Sequence, residues 1–239
     1  MNFLRSFLDN NSVFGQLMTR CGIIIAANIL FVLCSIPVVT AGAAWAALYT
    51  VMLKTLYRDP ELNPFRTFLE GLRENWKQGT AVWLIGLALG VLLYLEHFWV
   101  SQAEGVIGLL RYPLLGLGLI LAVLMCYLFP TMAAFRATLP QLLKNCVYFA
   151  VKRPVTLVLV LLAHMVPLGL TWLDRANLPL YAFLWCTFGF AAVAMFSSSL
   201  LLKLYRPYLQ KTEPEEETPS APEAPSEAQV LEEMEKLGM

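Results

Sequence analysis

From Cys21 to Leu53 the chain carries no Asp, Glu, Lys or Arg, and further charge-free runs follow before Lys203. At 1.5 Å per residue, one helix over 21–53 would reach roughly 48 Å, against a hydrocarbon core of about 30 Å. Water is a poor solvent for such a pattern and lipid a good one. The whole chain agrees: 58% of its 239 residues are hydrophobic and 14% charged, where a soluble domain carries about 25% charged residues. Mean hydropathy is +0.63. The expected fold class is all-α, a polytopic transmembrane helical bundle solvated by the lipid bilayer.

Pro37 interrupts the first long run and disfavours helix at Ile36. The run is therefore read as two short spans, 21–36 and 41–57, joined by a tight turn that uses Pro37, Thr40 and Gly42. Later spans fall at 80–100, 112–130, 155–173 and 180–203, giving six spans as three hairpins. The alternative is five spans, the first kinked and followed by an interfacial helix.

Cationic loops favour the cytoplasmic side. With six spans that side receives every Lys and Arg except Arg111 and Arg175; with five, Arg5 and Arg20 leave it as well. Both termini are then expected in the cytoplasm. Ala41-Gly42-Ala43 imitates a signal-peptide cleavage site, but apolar sequence resumes at Trp45, so an uncleaved first span is expected.

Outside the 21–210 helical domain, residues 1–20 read as an interfacial segment with Phe3, Leu4, Phe7, Leu8, Phe14, Leu17 and Met18 at helical spacing. Residues 211–239 are rich in Glu, Pro, Ser and Ala and read as a disordered acidic cytoplasmic tail.

The strongest local signal lies at 63–77. Asn63 suits an N-cap and Pro64 a first helical position. Phe65, Phe68, Leu69, Leu72 and Trp76 make one apolar stripe, with Arg66, Glu70, Arg73, Glu74 and Lys77 on the other faces. Such a helix lies on the inner membrane surface or docks on a partner. A second inner helix starts at Thr138, Leu139 and Pro140 and carries Leu139, Leu142, Leu143, Cys146, Val147 and Ala150.

Polar groups inside lipid are costly and raise a functional hypothesis. Asn28, His164, Ser197, Ser198 and Ser199 are the intramembrane candidates. Their plainer roles are interhelical hydrogen bonds, a carbonyl freed by Pro167, and close helix packing. The five cysteines are odd in number and widely spaced, which argues against a zinc cluster or a disulfide framework. There is no phosphate loop, no H-E-x-x-H and no G-x-S-x-G, and only two His. No cofactor, metal, nucleic-acid partner or enzymatic activity is expected.

The segment Asn28 to Gly42, followed by Ala47-Leu48-Tyr49, resembles the N-terminal signature of the YesL-like bacterial membrane proteins. Phe65-Arg66-Thr67-Phe68 and Glu74-Asn75-Trp76-Lys77-Gln78 resemble that family's next block. The resemblance extends over about 20–210. It implies a bacterial plasma-membrane protein, a domain of unknown function, encoded beside carbohydrate importers of the ATP-driven (ABC) class. The expected role is therefore accessory or regulatory to carbohydrate uptake, with a component of such a transporter as partner. The alternative is a small transporter or channel in its own right, lined by Asn28, His164 and Ser197 to Ser199. Oligomeric state stays open.

Overall fold

The computed structural model describes residues 13–57, 62–103 and 105–209. The expectations for residues 1–12 and for the tail beyond 209 lie outside these. The chain divides at Tyr205 into two compact units. Everything below concerns the first, Met1–Tyr205; of the second, Arg206–Met239, only residues 206–209 are described, as helix.

The fold is all-α, with no strand among the described residues. Helices run α1 (Val13–Ser35), α2 (Ala41–Tyr57), α3 (Pro64–Ser101), α4 (Arg111–Ala134), α5 (Leu139–Lys152), α6 (Pro154–Leu173), α7 (Leu178–Leu184) and α8 (Phe190–Leu209). A π-helical turn, Trp185–Gly189, joins α7 to α8. Six segments are long and apolar enough to cross a membrane: Phe14–Ser35, Val38–Tyr57, Pro64–Ser101, Ile107–Ala134, Pro154–Leu173 and Arg175–Leu209.

Three boundaries differ from expectation. Phe14, Leu17 and Met18 belong to the first turns of α1 rather than to a separate interfacial segment. The helices expected at 63–77 and 80–100 are one unbroken α3 of 38 residues. Nothing between Lys77 and Thr80 stops a helix; only the hydropathy changes there, and a change of solvent is not a helix terminator. At 1.5 Å per residue α3 is about 57 Å long, nearly twice the hydrocarbon thickness, so it is longer than one perpendicular span needs, and its charged first turns continue the helix axis. The sixth span is interrupted by the π-turn.

The first hairpin turns on a short 3-10 segment, Val38–Thr40. The Thr40 hydroxyl contacts the carbonyls of Cys34 and Pro37, occupying acceptors at the end of α1. The Trp83 indole N–H donates to the Val38 carbonyl at 2.8 Å, tying the turn to α3.

Packing of α2 on α3 depends on small residues. A Cβ built on Gly42 would lie 2.3 Å from the Gly79 carbonyl oxygen, and one on Gly79 would lie 2.9 Å from Ala43 Cα. One on Gly71 would meet Ala47 Cα at 3.2 Å. The two helices therefore run antiparallel with backbones nearly touching, which is how helices associate where lipid supplies no hydrophobic drive. This pairing brings the first turn to the level of Trp83, and α3 continues about 27 Å further. The α3–α4 hairpin covers that remainder, with Met125 against Gly86 and Phe129 beside Trp83.

Candidate functional site

Two places concentrate polar chemistry: the contacts among α1, α2, α4, α6 and α8, and a cleft at the Arg- and Lys-rich end of α3.

In the first, Asn28 is fully buried in α1. Its amide nitrogen donates to the carbonyls of Trp185 (2.9 Å) and Cys186 (2.8 Å), and its oxygen accepts from the Ala191 N–H (2.9 Å). A π-turn breaks the i→i+4 ladder and leaves backbone groups unmatched. One carboxamide, with two donors and an acceptor, satisfies three of them. Phe190 then packs on Phe31 and Trp45, locking the turn against α1 and α2.

His164 is buried in α6. Its Nδ1 lies 2.8 Å from the Val160 carbonyl, which can only accept, so Nδ1 carries the proton. Nε2 then accepts from the Tyr49 hydroxyl at 3.1 Å. Both ring nitrogens are engaged. Its backbone partner is the Val160 carbonyl, one turn earlier, rather than the Ala163 carbonyl that Pro167 frees.

The serines separate. Ser199 turns to the Phe196 carbonyl at 2.7 Å. Ser197 and Ser198 are fully buried and their hydroxyls have no hydrogen-bond partner. Ser197 sits beside the Tyr49 phenol without completing a hydrogen bond. The Tyr127 hydroxyl is likewise buried and unpartnered, while Thr131 joins the Tyr205 hydroxyl at 2.9 Å. Tyr49, Tyr127, Thr131 and Tyr205 were absent from the candidates read in the sequence. Their signal in the sequence is a tyrosine well inside an apolar run, where the ring fits the hydropathy pattern and only the hydroxyl departs from it.

In the second place, α3 shows three faces. The buried line is Thr67, Phe68, Gly71 and Gly79. Phe65, Leu69 and Trp76 are exposed at 57%, 55% and 46%, and Leu72 is half-buried. The stripe expected to lie on the membrane surface or dock on a partner is thus split: Phe68 is buried while Phe65, Leu69 and Trp76 are exposed. Arg66, Glu70, Arg73, Glu74 and Lys77 form the remaining face. Arg66 and Glu70 pair at 2.8 Å, and the Glu70 carboxylate beside it holds the Arg66 guanidinium above its ordinary pKa.

Glu70, Arg73, Glu74 and Lys77 of that face line a cleft of about 1200 Å³ together with the 135–138 connection and Thr50 and Lys54 of α2. Arg136 crosses it to Glu74 at 2.5 Å, and the Gln78 amide reaches the Ala137 carbonyl at 3.5 Å. On the far side α5 begins where the Gln141 side-chain oxygen accepts from the Thr138 N–H and hydroxyl. It buries Leu142, Cys146, Phe149 and Ala150, whereas Leu143 and Val147 of the expected stripe are exposed. Among the described residues no group of three or more His, Cys, Asp or Glu could hold a metal ion.

Residues 24–97 match a family described as a protein of unknown function, DUF624. The match covers the second half of α1, the first turn, α2 and nearly all of α3, a shorter stretch than the 20–210 of the YesL-like resemblance. It includes Asn28, the Gly42–Gly79 contact and the charged face of α3, and leaves out His164 and Ser197 to Ser199. No curated protein and no solved structure matches the chain.

Proposed function

We propose that this is a non-enzymatic, multi-pass protein of a bacterial plasma membrane, accessory or regulatory to carbohydrate (ABC-type) uptake, and that it docks a transport component on the charged first turns of α3. The observation that carries the docking step is the stripe of Phe65, Leu69 and Trp76, left exposed on a helix continuous with its own span. Apolar side chains grouped beside exposed charges mark an interaction surface. A rigid rod conveys whatever binds there to the bundle, because α2 is packed backbone-to-backbone against the same turns. The carbohydrate part rests on the likeness of 28–49 and 65–78 to the YesL-like proteins. A cytoplasmic side for this end is supported by its cations, Lys54, Arg66, Arg73, Lys77, Arg136, Lys144, Lys152 and Arg153.

Affinity purification from native membranes of sugar-grown cells tests this. An importer permease or its ATPase is expected to co-purify with the unaltered protein and to be lost with Phe65→Ser/Leu69→Ser/Trp76→Ser. Absence of any importer component from the unaltered sample would sink the reading.

A second reading, a small transporter or channel, is favoured by the unpartnered buried hydroxyls of Tyr127, Ser197 and Ser198. Against it, Asn28 and His164 spend their polar atoms on neighbouring backbone and Tyr49, so neither offers a group to a permeant. Uptake into proteoliposomes, with Ser197→Ala/Ser198→Ala and His164→Ala as controls, decides; zero flux under every gradient tried would remove it.

A further inference from the structure

We infer that α5 lies in the plane of the membrane as an interfacial helix, with Leu143, Val147 and Val151 inserted among the lipids of the leaflet it borders.

The 14 residues of α5 fall into three sectors around the helix axis. Leu142, Cys146, Phe149 and Ala150 make one face, and all four are buried. Phe149 stacks on Phe135 and packs on Tyr205, with ring centroids 5.9 and 5.0 Å apart. Gln141, Lys144, Tyr148 and Lys152 make a second face, polar and exposed, where the Lys152 ammonium stands 5.3 Å from the Tyr148 ring centroid. Between them runs a third line at i, i+4 and i+8: Leu143, Val147 and Val151, wholly aliphatic and exposed. A helix resting on a bundle in water needs one apolar face and one polar face. A second apolar sector beside the buried one suits a helix at the corner where bundle, lipid and water meet.

The connections of α5 identify what covers that line. Arg153 alone separates α5 from α6. Val151 is three residues from Pro154, and so within about 11 Å of the start of a membrane-length helix. Across this junction the exposed apolar surface continues: Val151 is 75% exposed and Val155 72%, followed by Val158, Leu159 and Leu162 on α6. The other end of α5 is tied to α4 by the 135–138 connection. In the middle, Cys146 sits beside Thr131, inside the apolar segment Ile107–Ala134. A helix held to two span ends and packed on the last turn of one stays at the bilayer boundary. Its aliphatic line then meets the same lipid as the outer face of α6. Composition favours lipid over a protein partner as well. Protein hot spots are rich in Trp, Tyr and Arg; this line has none of them, whereas the α3 stripe carries Trp76.

Spin labelling of the full chain tests this. Nitroxides are attached one at a time, through Leu143→Cys, Val147→Cys, Tyr148→Cys, Val151→Cys or Lys152→Cys, in a background of Cys21→Ala/Cys34→Ala/Cys186→Ala. The protein is reconstituted in vesicles of phosphatidylethanolamine and phosphatidylglycerol. Collisions with oxygen, which concentrates in lipid, are compared with collisions with a water-soluble nickel chelate. Oxygen is expected to dominate at 143, 147 and 151, and the chelate at 148 and 152. Dominance of the chelate at all five positions overturns the inference. So does low access to both agents at 143, 147 and 151, which marks a protein cover such as a second copy of the chain. The inference rests on α4 and α6 being membrane spans, and a label at Leu162→Cys checks that separately. Oxygen dominance at 162 with chelate dominance at 147 overturns the placement of α5 and leaves the multi-pass reading standing. If the cysteine background does not stay monodisperse, benzoylphenylalanine is placed at Val147 or Val151 in the otherwise unaltered chain and irradiated in the same vesicles. Phospholipid adducts in the mass spectrum are expected from both positions and not from Lys152; their absence overturns the inference. The docking stripe of α3 is unaltered in every one of these variants.

Discussion

The Asn28 carboxamide reaches the Trp185 carbonyl at 2.9 Å, bridging 157 positions of sequence to hold a π-turn shut. The same side chain also serves Cys186 and Ala191, so one residue of the first helix completes the backbone of the last span.

Removing it should leave buried backbone groups unmatched. Asn28→Leu is expected to cost about 2–3 kcal/mol, less than three full penalties because the unfolded chain in a micelle finds other partners. Unfolding in mixed micelles with increasing SDS measures this; a loss below about 0.5 kcal/mol would show that the π-turn closes without Asn28.

Tyr49 and His164 form a closed donor–acceptor chain ending on Val160. Tyr49→Phe and His164→Leu are each expected to destabilise, with a coupling energy of about 0.5–1.5 kcal/mol between them. A double-mutant cycle in the same assay reads it, and strictly additive losses would remove the pairing from the account.

The α2–α3 contact has no room for a methyl group. Gly42→Ala and Gly79→Ala are expected to cost about 1–3 kcal/mol each through overpacking. Gly90 and Gly116 have nothing within 4 Å of a built Cβ. Alanine there should be neutral or stabilising by up to about 1 kcal/mol, from helix propensity alone. Equal effects at all four sites would refute the close crossing.

Asp174 caps the turn between α6 and α7, accepting from the Asn177 amide at 2.9 Å and the Tyr181 hydroxyl at 3.3 Å. The Asn177 hydrogen bond, more than any other group, holds the carboxyl below its ordinary 3.8. Because the folded pKa is depressed, the turn gains from the carboxylate at every pH above 3.8 and loses that gain as pH falls through the lower folded value. Asp174→Asn should flatten this acid limb in a thermal-stability series across the acid range. An unchanged limb would assign it to other carboxylates.

The sequence by itself determined a lipid-solvated helical chain, six apolar segments, the start of α3 at Asn63 and Pro64, and the presence of polar groups at Asn28 and His164. These follow from composition and local geometry, each readable within a few residues. Tertiary structure decided what those groups touch. The Trp185–Gly189 π-turn carries no local mark, so the partner of Asn28 was invisible. Periodicity gave the bulky stripe of α3 to one face, but close approach of α2 selected small residues, and Thr67, Gly71 and Gly79 share the buried line with Phe68 alone of the stripe. That arrangement left Phe65, Leu69 and Trp76 exposed. The cleft exists because helices distant in sequence meet there, and no window of one helix contains it.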